Sequence, residues 1–381
     1  MKFKTRAIHI GSEPDAQTGA VIPPIYMTST FEQDAPGQTR GYDYTRAGNP
    51  NFTRLEELLA SLEEGKFATV CSSGLGALSA MAAMLNPGDS VIALKGLYGG
   101  TYRFFKNTPI SFHVIDVEQI DEYLEQKPAW LLFETPTNPL LDIYDIRKLC
   151  SKAKSAGTLT IIDNTFATPC FQNPLNLGAD IVWHSTTKYI GGHSDVVGGA
   201  LVTNDTNLDE AFKFNRMSIG VNPSPFDAWL TMRGLKTLGL RMEHHQRNAM
   251  AISEFLASHP LVGKIYYPGL KAHPGHEVAS AQMTGYSGMV SVEFNLSLED
   301  TLRLIKNFKL FTLAESLGGV ESLVNHPATM THASIPDKER MEMGISDGLV
   351  RFSVGIEDPE DLINDINTQL EKLSMVKAAP S

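Results

Sequence analysis

Lys188 and Asp163 are the residues whose type and setting most clearly point to chemistry. Lys188 follows an apolar run, 181–183, and three hydroxyl residues, and glycines come after it. This arrangement is typical of a strand that leads into a phosphate-holding loop, where a partly desolvated lysine can lose its proton and act as a nucleophile. Asp163 ends another apolar run, 159–162. Each residue alone reads as a surface lysine or a helix cap, but the pair favours one shared site.

One cofactor requires both of these groups. Pyridoxal phosphate needs an amine for its aldehyde, hydroxyl and backbone donors for its phosphate, and a carboxylate against its pyridine nitrogen. Lys188 and Asp163 supply the first and the last, and the hydroxyl residues at 185–187 are candidates for the phosphate. The pattern therefore predicts an enzyme that uses pyridoxal phosphate.

The elements that must position these residues are short apolar strands that alternate with helices. Such strands predict an α/β fold with a mainly parallel sheet and helices on both faces. Ligands bind these sheets outside the carboxyl ends of the strands, where Asn138, Asp163 and Lys188 all fall. One crossover helix is predicted at 143–156, with Gly157 as its end.

A turn of small residues at 72–75 precedes another predicted helix. Helix N-termini bind anions through free backbone N–H groups and the helix dipole. Gly74 and Gly76 also resemble half of a dinucleotide fingerprint, but Ser79 stands where the third glycine belongs. A nicotinamide oxidoreductase is therefore a remote alternative, as is a catalytically inactive binding protein.

Composition restricts the class of protein. The 381 residues are 42% hydrophobic and 20% charged, which is typical of a globular chain, and this length favours two domains. A formal net charge of −11 argues against nucleic-acid or anionic-membrane partners. The cysteines are few and widely spaced, and the close histidines at 244–245 and 273–276 lack a carboxylate partner, so we expect no metal site. Without an apolar leader or a long apolar run, we expect a cytoplasmic protein.

Three segments are predicted along the chain. Residues 1–53 are rich in Gly, Pro, Thr and aromatic residues without a helical period, and they predict an arm that lies across its own body or a second subunit. Residues 54–238 form the predicted large α/β domain, and residues 239–381 form a smaller α+β domain. A long loop is expected at 311–336, between strand-like and helical patterns.

Candidate ligand-binding residues also lie away from Lys188. Tyr98 stands in a glycine-rich loop that lets the backbone approach a ligand, although a half-buried ring would look the same. Glu315 and Ser316 lie in the polar loop. Arg351 interrupts a β-like run, where an arginine suits bidentate binding of a carboxylate or pairing with a structural acid.

Ten stretches, in the right order, resemble the cystathionine γ-synthase/γ-lyase/β-lyase family. These are pyridoxal-phosphate enzymes of the Cys/Met metabolism group, with the fold-type I, aspartate-aminotransferase-like architecture. The stretches are YDYTRAGNP, SSGLGA, LYGGTYR, ETPTNP, DNTFATP, HSTTKYIGGHSDVVGG, RGLKTLGLRM, LFTLAESLGGVESL, MTHASIP and RFSVGIED.

This resemblance implies roles in a cofactor site. Lys188 matches the lysine that binds the cofactor and moves the Cα proton, Asp163 matches the carboxylate at the pyridine nitrogen, and Tyr98 matches the tyrosine stacked on the ring. The implied phosphate ligands are Gly74, Leu75, Ser185 and Thr187, with Tyr44 and Arg46 reaching in from a neighbouring subunit. A homotetramer, built as a dimer of dimers with shared active sites, is therefore expected.

The resemblance also implies a substrate, L-cystathionine. Arg351 matches the arginine that binds the α-carboxylate, helped by Asn138 and Ser316, and Glu315 matches a residue placed to meet the distal amino group. The first expectation is γ-elimination to cysteine, 2-oxobutanoate and ammonia. The alternatives are β-elimination to homocysteine, pyruvate and ammonia, and γ-replacement on an acyl-homoserine.

Two positions bear on this choice, and a third departure concerns the N-terminal arm. Gly99 occupies the place where methionine γ-lyases usually carry a cysteine, and Leu317 occupies the place where one branch of β-lyases carries a bulky aromatic residue. The family usually follows GNP with Thr-Arg, whereas this chain has Asn51 and Phe52. That departure concerns the contacts of the arm and leaves the cofactor residues intact.

Overall fold

The computed structural model describes residues 1–333 and 337–378, so the last three residues of the MTHASIP stretch lie outside the described residues. The chain divides into two compact units. Unit 1 consists of Met1–Glu134 and Asp145–Gly239, and unit 2 consists of Thr135–Tyr144 and Leu240–Ser381. Residues 135–144 therefore belong to unit 2, although the chain on either side of them belongs to unit 1.

Unit 1 contains a large mixed sheet and a small hairpin. The hairpin is β1 (Gln33–Ala35) and β2 (Gln38–Thr39), and the strands of the sheet are β3 (Phe67–Cys71), β4 (Ser90–Leu94), β5 (Ser111–Ile115), β6 (Trp130–Glu134), β7 (Leu159–Asp163), β8 (Ile181–Ser185) and β9 (Gly199–Thr203). Their spatial order is β3-β9-β8-β7-β6-β4-β5. Strand β9 is antiparallel to both of its neighbours, and the other pairings are parallel. The predicted α/β class with a mainly parallel sheet is confirmed.

Alternating side chains of this sheet are buried on both faces, as expected for apolar strands between two helical layers. On one face Leu132 and Ile161 pack in the same core as Met81. The intervening residues, Phe133 and Ile162, point to the other face and are also fully buried. The sheet is therefore covered on both sides, and solvent and ligands reach its strands at their ends.

Several helices of unit 1 begin at a capping side chain. They are α1 (Phe3–His9), α2 (Pro50–Leu62), α3 (Gly74–Ala82), α4 (Gly99–Lys106), α5 (Ile120–Leu124), α6 (Ile146–Ala156), α7 (Thr168–Phe171), α8 (Thr206–Ile219) and α9 (Pro225–Leu235). The Asp145 side chain caps α6 by accepting from Lys148 N, and Gly157 ends it with φ +77°. Since left-handed backbone favours glycine, the predicted stop at Gly157 has a clear physical cause.

The N-terminal arm differs from its prediction in two respects. Its first residues form a helix, α1, and helix α2 begins within the segment, at Pro50, with Asn49 as N-cap. Asn51, one of the two unusual residues, accepts from Tyr26 N at 2.8 Å and donates to Pro24 O at 2.9 Å. Asn51 therefore fastens the arm onto α2, which gives this departure from the family pattern a structural role.

Unit 2 contains a second sheet and its own core. Its strands are β10 (Val262–Tyr266), β11 (Met289–Phe294), β12 (Thr312–Leu313), β13 (Leu323–Asn325) and β14 (Leu349–Ser353), in the order β10-β11-β14-β13-β12, and its helices are α10 (Leu238–Ala257), α11 (His276–Gln282), α12 (Leu298–Asn307), α13 (Asp337–Glu342) and α14 (Pro359–Ala378). The core contains Val292, Phe352 and Ile366. The prediction of a continuous loop at 311–336 is wrong, because β12 and β13 lie within it; two or three residues are too short to show a strand period.

Candidate active site

Lys188 lies in a turn directly after β8, at the carboxyl end of the strand. The backbone of this turn is held by hydrogen bonds from Gly191 N to Thr186 O and from Gly192 N to Lys188 O, both 2.8 Å. The next residue, Tyr189, is fully buried, whereas Lys188 is half-buried. Buried neighbours thus fix the turn, and the lysine stands at the edge of the sheet that the sequence predicted.

Asp163 ends β7, the strand next to β8. Its carboxylate accepts from Thr165 N at 2.9 Å. Burial raises the pKa of Asp163, while the hydrogen bonds from Thr165 and the nearby His184 act in the opposite direction. A buried carboxyl with a raised pKa gains most from a cationic partner, because that partner favours its charged form.

Behind Asp163 lies a buried pair that the sequence did not reveal. His184 and Glu63 are both fully buried, and Nε2 of the histidine lies 2.5 Å from Oε1 of the glutamate. Asn164 also donates to this oxygen, at 2.8 Å. Glu63 reads as part of the charged face of α2, so only the tertiary fold brings it to His184.

The N-terminus of α3 lies beside β8 and β9. The Ser73 side chain accepts from Gly76 N at 2.9 Å, while the N–H groups of Gly74 and Leu75 belong to the first turn, where no carbonyl of the same helix can accept from them. Ser185 borders this turn, since a Cβ added at Gly74 would lie 3.2 Å from the Ser185 Cβ. Backbone donors and a hydroxyl therefore converge at one helix end.

Glycine is required where β9 passes this helix end. A Cβ added at Gly199 would lie 2.1 Å from Ser73 O and 2.7 Å from Gly74 N, which is too close for any side chain. The neighbouring Gly198 is fixed by Thr187, whose hydroxyl accepts from Gly198 N at 3.0 Å. Trp183 donates to Gly74 O at 2.9 Å and so holds the helix end from the other side.

Tyr98 is the N-cap residue of α4, and its ring is 43% exposed. Its backbone N–H donates to the carboxylate of Glu134, the last residue of β6. Glu134 pairs in register with Asp163, so the two acids end adjacent parallel strands. Burial, and then the charge of Asp163, raise the pKa of Glu134 well above its usual range. Glu134 was not predicted as a site residue, although it ends an apolar strand just as Asp163 does.

Tyr44 and Arg46 lie in the arm. The Arg46 guanidinium lies 5.4 Å from the centre of the Tyr44 ring, and it donates to Met217 O at 2.8 Å. Tyr44 is 46% exposed, and the contacts of this pair within the described chain do not include the other candidate residues.

Arg351, Asn138 and Ser316 come together in unit 2. The guanidinium of Arg351, which is 2% exposed, donates to Asn138 Oδ1 at 2.8 Å and to Ser316 O at 3.0 Å. Ser316 has φ +83°, a left-handed conformation that is unusual outside glycine. Burial and the charges of Arg351 and Arg340 lower the pKa of the adjacent His332 to about 4. A neutral imidazole beside Arg351 leaves the positive charge of this cluster to the arginine.

Glu315 precedes Ser316 and is exposed. Its neighbour on the other side of the serine, Leu317, is buried. The loop thus turns its acidic side chain outward beside the cluster of Arg351, Asn138 and Ser316.

Comparison with known proteins agrees with this arrangement. Residues 4–371 match the family of Cys/Met metabolism PLP-dependent enzymes. The chain belongs to this family. It is 48% identical over 379 residues to cystathionine gamma-lyase of Dictyostelium discoideum, covering 97% of this chain and 98% of that protein. It is also 48% identical over 378 residues to cystathionine beta-lyase of Lactococcus lactis subsp. cremoris, covering 97% and 99%.

A solved structure gives the same result for the fold. The chain superposes on cystathionine gamma synthase from Xanthomonas oryzae pv. oryzae, in complex with cystathionine, with a TM-score of 0.96 and 45% identity, covering 98% of this chain and 99% of that one. The protein is therefore a pyridoxal-phosphate-dependent enzyme of cysteine and methionine metabolism with a fold-type I architecture. The alternative of a nicotinamide oxidoreductase is wrong.

The residues present fit this cofactor. Because Gly199 has no side chain, the first turn of α3 is left open to a phosphate, and Ser185 lies beside this turn. Backbone N–H groups and a hydroxyl are the donors that a phosphate monoester requires. Asp163 offers a buried carboxylate to a protonated ring nitrogen, and Lys188 offers an amine at the end of the adjacent strand.

The structure also bears on membrane-spanning segments and metal sites. Within the part of the chain that the structure describes, no helix is both long and apolar enough to cross a membrane. Among the same residues, no group of three or more His, Cys, Asp or Glu side chains could hold a metal ion.

Proposed function

We propose that this enzyme cleaves L-cystathionine by γ-elimination, giving cysteine, 2-oxobutanoate and ammonia with consumption of one water. The observation that carries the proposal is the group of buried Arg351, buried Asn138 and half-buried Ser316, with the exposed carboxylate of Glu315 next to it. Cystathionine has an amino-acid group at each end. A buried arginine suits the α-carboxylate of the reacting end, and an exposed carboxylate suits the ammonium of the distal end.

The chain's own residues then have distinct tasks. Pyridoxal phosphate, when bound, supplies an electron sink for the charge that develops as the substrate loses its Cα proton. In the proposal Lys188 Nζ accepts that proton, and Asp163 holds a proton at the ring nitrogen. Arg351 orients the carboxylate through its fixed fork, which its bonds to Asn138 and Ser316 already align.

The other cofactor contacts follow the same proposal. The phosphate binds to the N–H groups of Gly74 and Leu75 and to the hydroxyls of Ser185 and Thr187. Tyr98 stacks on the ring. This arrangement is supported by the exposed Tyr98 ring and by the open first turn of α3.

The choice of γ-elimination is favoured by Glu315 and Leu317. Leu317, which is buried, occupies the place where one branch of β-lyases carries a bulky aromatic residue, and Glu315 of the same loop is exposed. The named relatives include a γ-lyase, a β-lyase and a γ-synthase at similar identity, so the reaction has to be measured.

The decisive experiment identifies the products. Cofactor-loaded protein is incubated with L-cystathionine, and both the oxo acid and the amino-acid thiol are identified by mass. We expect 2-oxobutanoate and cysteine. Pyruvate and homocysteine would make the enzyme a β-lyase, and turnover only with an acyl-homoserine plus cysteine would make it a γ-synthase.

Glu315→Gln tests the role of the distal ammonium. We expect KM for cystathionine to rise by about 3–10-fold, as for a partly exposed ion pair, whereas a homocysteine thioether without a distal amino group should show no change. Glu254→Gln, another exposed acid of unit 2, is the matched control. An equal rise in KM for both substrates would remove Glu315 from substrate recognition.

We also propose that the active form is a homotetramer, a dimer of dimers, in which Tyr44 and Arg46 reach the phosphate of a neighbouring subunit. The proposal is supported by the exposure of Tyr44 and of the apolar arm residues Val21 and Met27, which are 74% and 69% exposed. Apolar side chains clustered in one segment are typical of a surface that a partner covers.

A complementation experiment tests the shared site. Lys188→Ala and Arg46→Ala variants are each expected to be nearly inactive alone. When they are unfolded together and refolded as mixed oligomers, one site in each mixed pair would receive both native residues, and activity should return to about a quarter of the wild-type value. No recovery from mixtures that form oligomers would show that Arg46 serves its own subunit.

A further inference from the structure

Glu134 stands out among the residues of unit 1 that have no role in the proposed function. It is a charged residue type, 6% exposed, at the carboxyl end of a central strand. Its carboxylate accepts from the backbone N–H of Tyr98. Buried acids are rare unless they are hydrogen-bonded. The hydrogen bond of Glu134 is to the backbone of a candidate cofactor residue.

The position of Glu134 in the sheet places it between two candidate cofactor residues. Leu132 and Ile161 share one core, and side chains two residues apart along a strand point to the same face. Glu134 and Asp163, which follow them by two residues and pair in register, therefore extend from the same face of β6 and β7. On its other side β6 pairs with β4, the strand that precedes the Tyr98 loop.

The backbone of Tyr98 is fixed on both sides. Its N–H is bound by Glu134, and its carbonyl accepts from Thr101 N at 2.9 Å in the first turn of α4. The ring lies against Gly100, since a Cβ added there would lie 2.2 Å from a ring carbon. Once the backbone is fixed and the space over Gly100 is open, the plane of the ring is largely determined.

We propose that Glu134 is a positioning residue for the cofactor site: its carboxyl oxygen holds the Tyr98 amide, and thereby the Tyr98 ring, in the plane needed to stack on the cofactor. The acceptor oxygen performs this task, and the negative charge does not. The raised pKa of Glu134 agrees with this view, because a protonated carboxyl retains an oxygen that can accept from an N–H group. The inference rests on the proposed role of Tyr98 and not on which bond of the substrate breaks.

The test is a double-mutant cycle read out by cofactor affinity. Purified apo full-length protein is titrated with pyridoxal phosphate, and tryptophan fluorescence is followed; Trp183, bound to Gly74 O, is a suitable reporter. The variants are Tyr98→Ala, Glu134→Leu, both together, and Glu134→Gln. Visible circular dichroism of the bound cofactor gives a second readout of the ring environment.

We expect Tyr98→Ala and Glu134→Leu each to raise the dissociation constant by about 3–10-fold, the range of an aromatic stacking contact. The double variant should match Tyr98→Ala within about twofold, because both changes remove the same contact. Glu134→Gln keeps an acceptor oxygen, so its affinity and dichroism should stay within about twofold of the wild type.

Glu56→Leu is the matched control for general loss of stability. Glu56 is also buried and also accepts from a backbone N–H, that of Val70, but its partner is not a candidate cofactor residue. We expect it to lower the melting temperature without changing the dissociation constant. A weakening of cofactor affinity equal to that of Glu134→Leu would overturn the proposal.

Three further results would also overturn it. Additive effects of Tyr98→Ala and Glu134→Leu would mean that Glu134 acts on the cofactor independently of Tyr98. If Glu134→Gln bound pyridoxal phosphate as weakly as Glu134→Leu, the negative charge of Glu134 would be needed for cofactor binding. An unchanged affinity in Tyr98→Ala would remove Tyr98 from the cofactor site and the inference with it, whereas a failure of γ-elimination alone would leave both intact.

Discussion

The candidate site residues of the two units include buried ionisable groups of opposite character. In unit 1, Glu134 and Asp163 end adjacent strands, and burial raises the pKa of both. In unit 2, burial lowers the pKa of His245 and His332 to about 4, while Arg351 is held by neutral oxygens. Unit 1 thus holds carboxyls whose neutral form is favoured by burial, and unit 2 holds a buried guanidinium, together with histidines whose neutral form is favoured by burial.

This difference follows from the chemistry each unit is proposed to perform. A protonated pyridine nitrogen is a cation, and an amino-acid carboxylate is an anion. In the proposal, Asp163 of unit 1 binds the cation and Arg351 of unit 2 binds the anion. The comparison also predicts opposite pH dependence, since raised carboxyl pKa values and lowered histidine pKa values affect stability in opposite directions.

The largest effect is expected from Asp163→Asn, which keeps the shape of the side chain and removes its charge. Turnover should fall about 10³-fold, as when a preorganised charge partner of the reacting system is lost. The phosphate contacts stay intact, so cofactor should remain bound. Asp121→Asn, an exposed acid paired with Lys152, is the control and should change turnover less than twofold.

Steady-state rates and bound cofactor per chain are the measurements for Asp163→Asn. Wild-type turnover in the variant would show that unit 1 does not hold the cationic end of the cofactor at Asp163. Loss of the cofactor with no change in rate per bound cofactor would show that Asp163 contributes to cofactor binding and not to turnover.

Arg351→Ala should have the next largest effect, because it removes the guanidinium that is the proposed carboxylate ligand of unit 2. We expect KM for cystathionine to rise about 10²-fold and the visible spectrum of the bound cofactor to stay unchanged. Arg351→Lys keeps the charge but loses the planar fork, so it should recover only part of the affinity.

Arg303→Ala is the matched control for Arg351→Ala, because Arg303 is exposed on α12 in the same unit. It should leave KM unchanged. If Arg351→Ala weakened cofactor binding as much as substrate binding, the division of tasks between the two units would be wrong.

Local sequence signals were sufficient to place Lys188 after a strand, Asp163 at a strand end and Gly157 at a helix stop, because these features are decided within a few residues. They also indicated Arg351, since a charged residue inside an apolar strand needs a partner. The signal for Glu134 is equally local, because the strand WLLFE ends in an acid just as LTIID does. It does not by itself predict a site residue, because a charged residue at the end of a strand is usually solvated.

Other features could not be read from the sequence. The pairing of Glu63 with His184 joins residues 121 positions apart and depends on the tertiary fold. The assignment of Thr135–Tyr144 to unit 2 is similarly non-local, because composition changes little along that stretch. Helix α1 has only seven residues, too few to establish a helical period.

His245 of unit 2 predicts how stability changes as pH falls. Burial lowers its pKa to about 4 from the ordinary 6.5, while Arg241 and His244 act in the same direction and its bond to Val354 O opposes them. Between pH 6.5 and 4 the unfolded chain therefore binds the extra proton, and stability falls as pH falls. Opening of β14 should become easier by about 2 kcal/mol between pH 7 and pH 5.

Hydrogen exchange of β14 peptides, corrected for the intrinsic pH dependence, measures this change. In His245→Asn, which retains a donor for Val354 O but cannot titrate, protection should be lower at pH 7 and depend less on pH. The same pH dependence in the variant and the wild type would assign the acid sensitivity to other groups.

Glu134→Gln tests how the stability of unit 1 changes as pH rises, and its effect is expected to be the smallest. The folded apoprotein keeps its proton on Glu134 at pH values where the unfolded chain, with an ordinary pKa of 4.5, has lost it. Stability therefore falls as pH rises from that value through the raised folded pKa, and removal of the carboxyl should flatten this decline. Some loss of stability with rising pH will remain, because Asp163 still titrates. Melting temperatures of the wild-type and variant apoproteins from pH 5 to 8 measure the difference. Parallel curves for the two apoproteins would show that Glu134 is already ionised throughout, and unit 1 would then lack the protonated acid that sets it apart from unit 2.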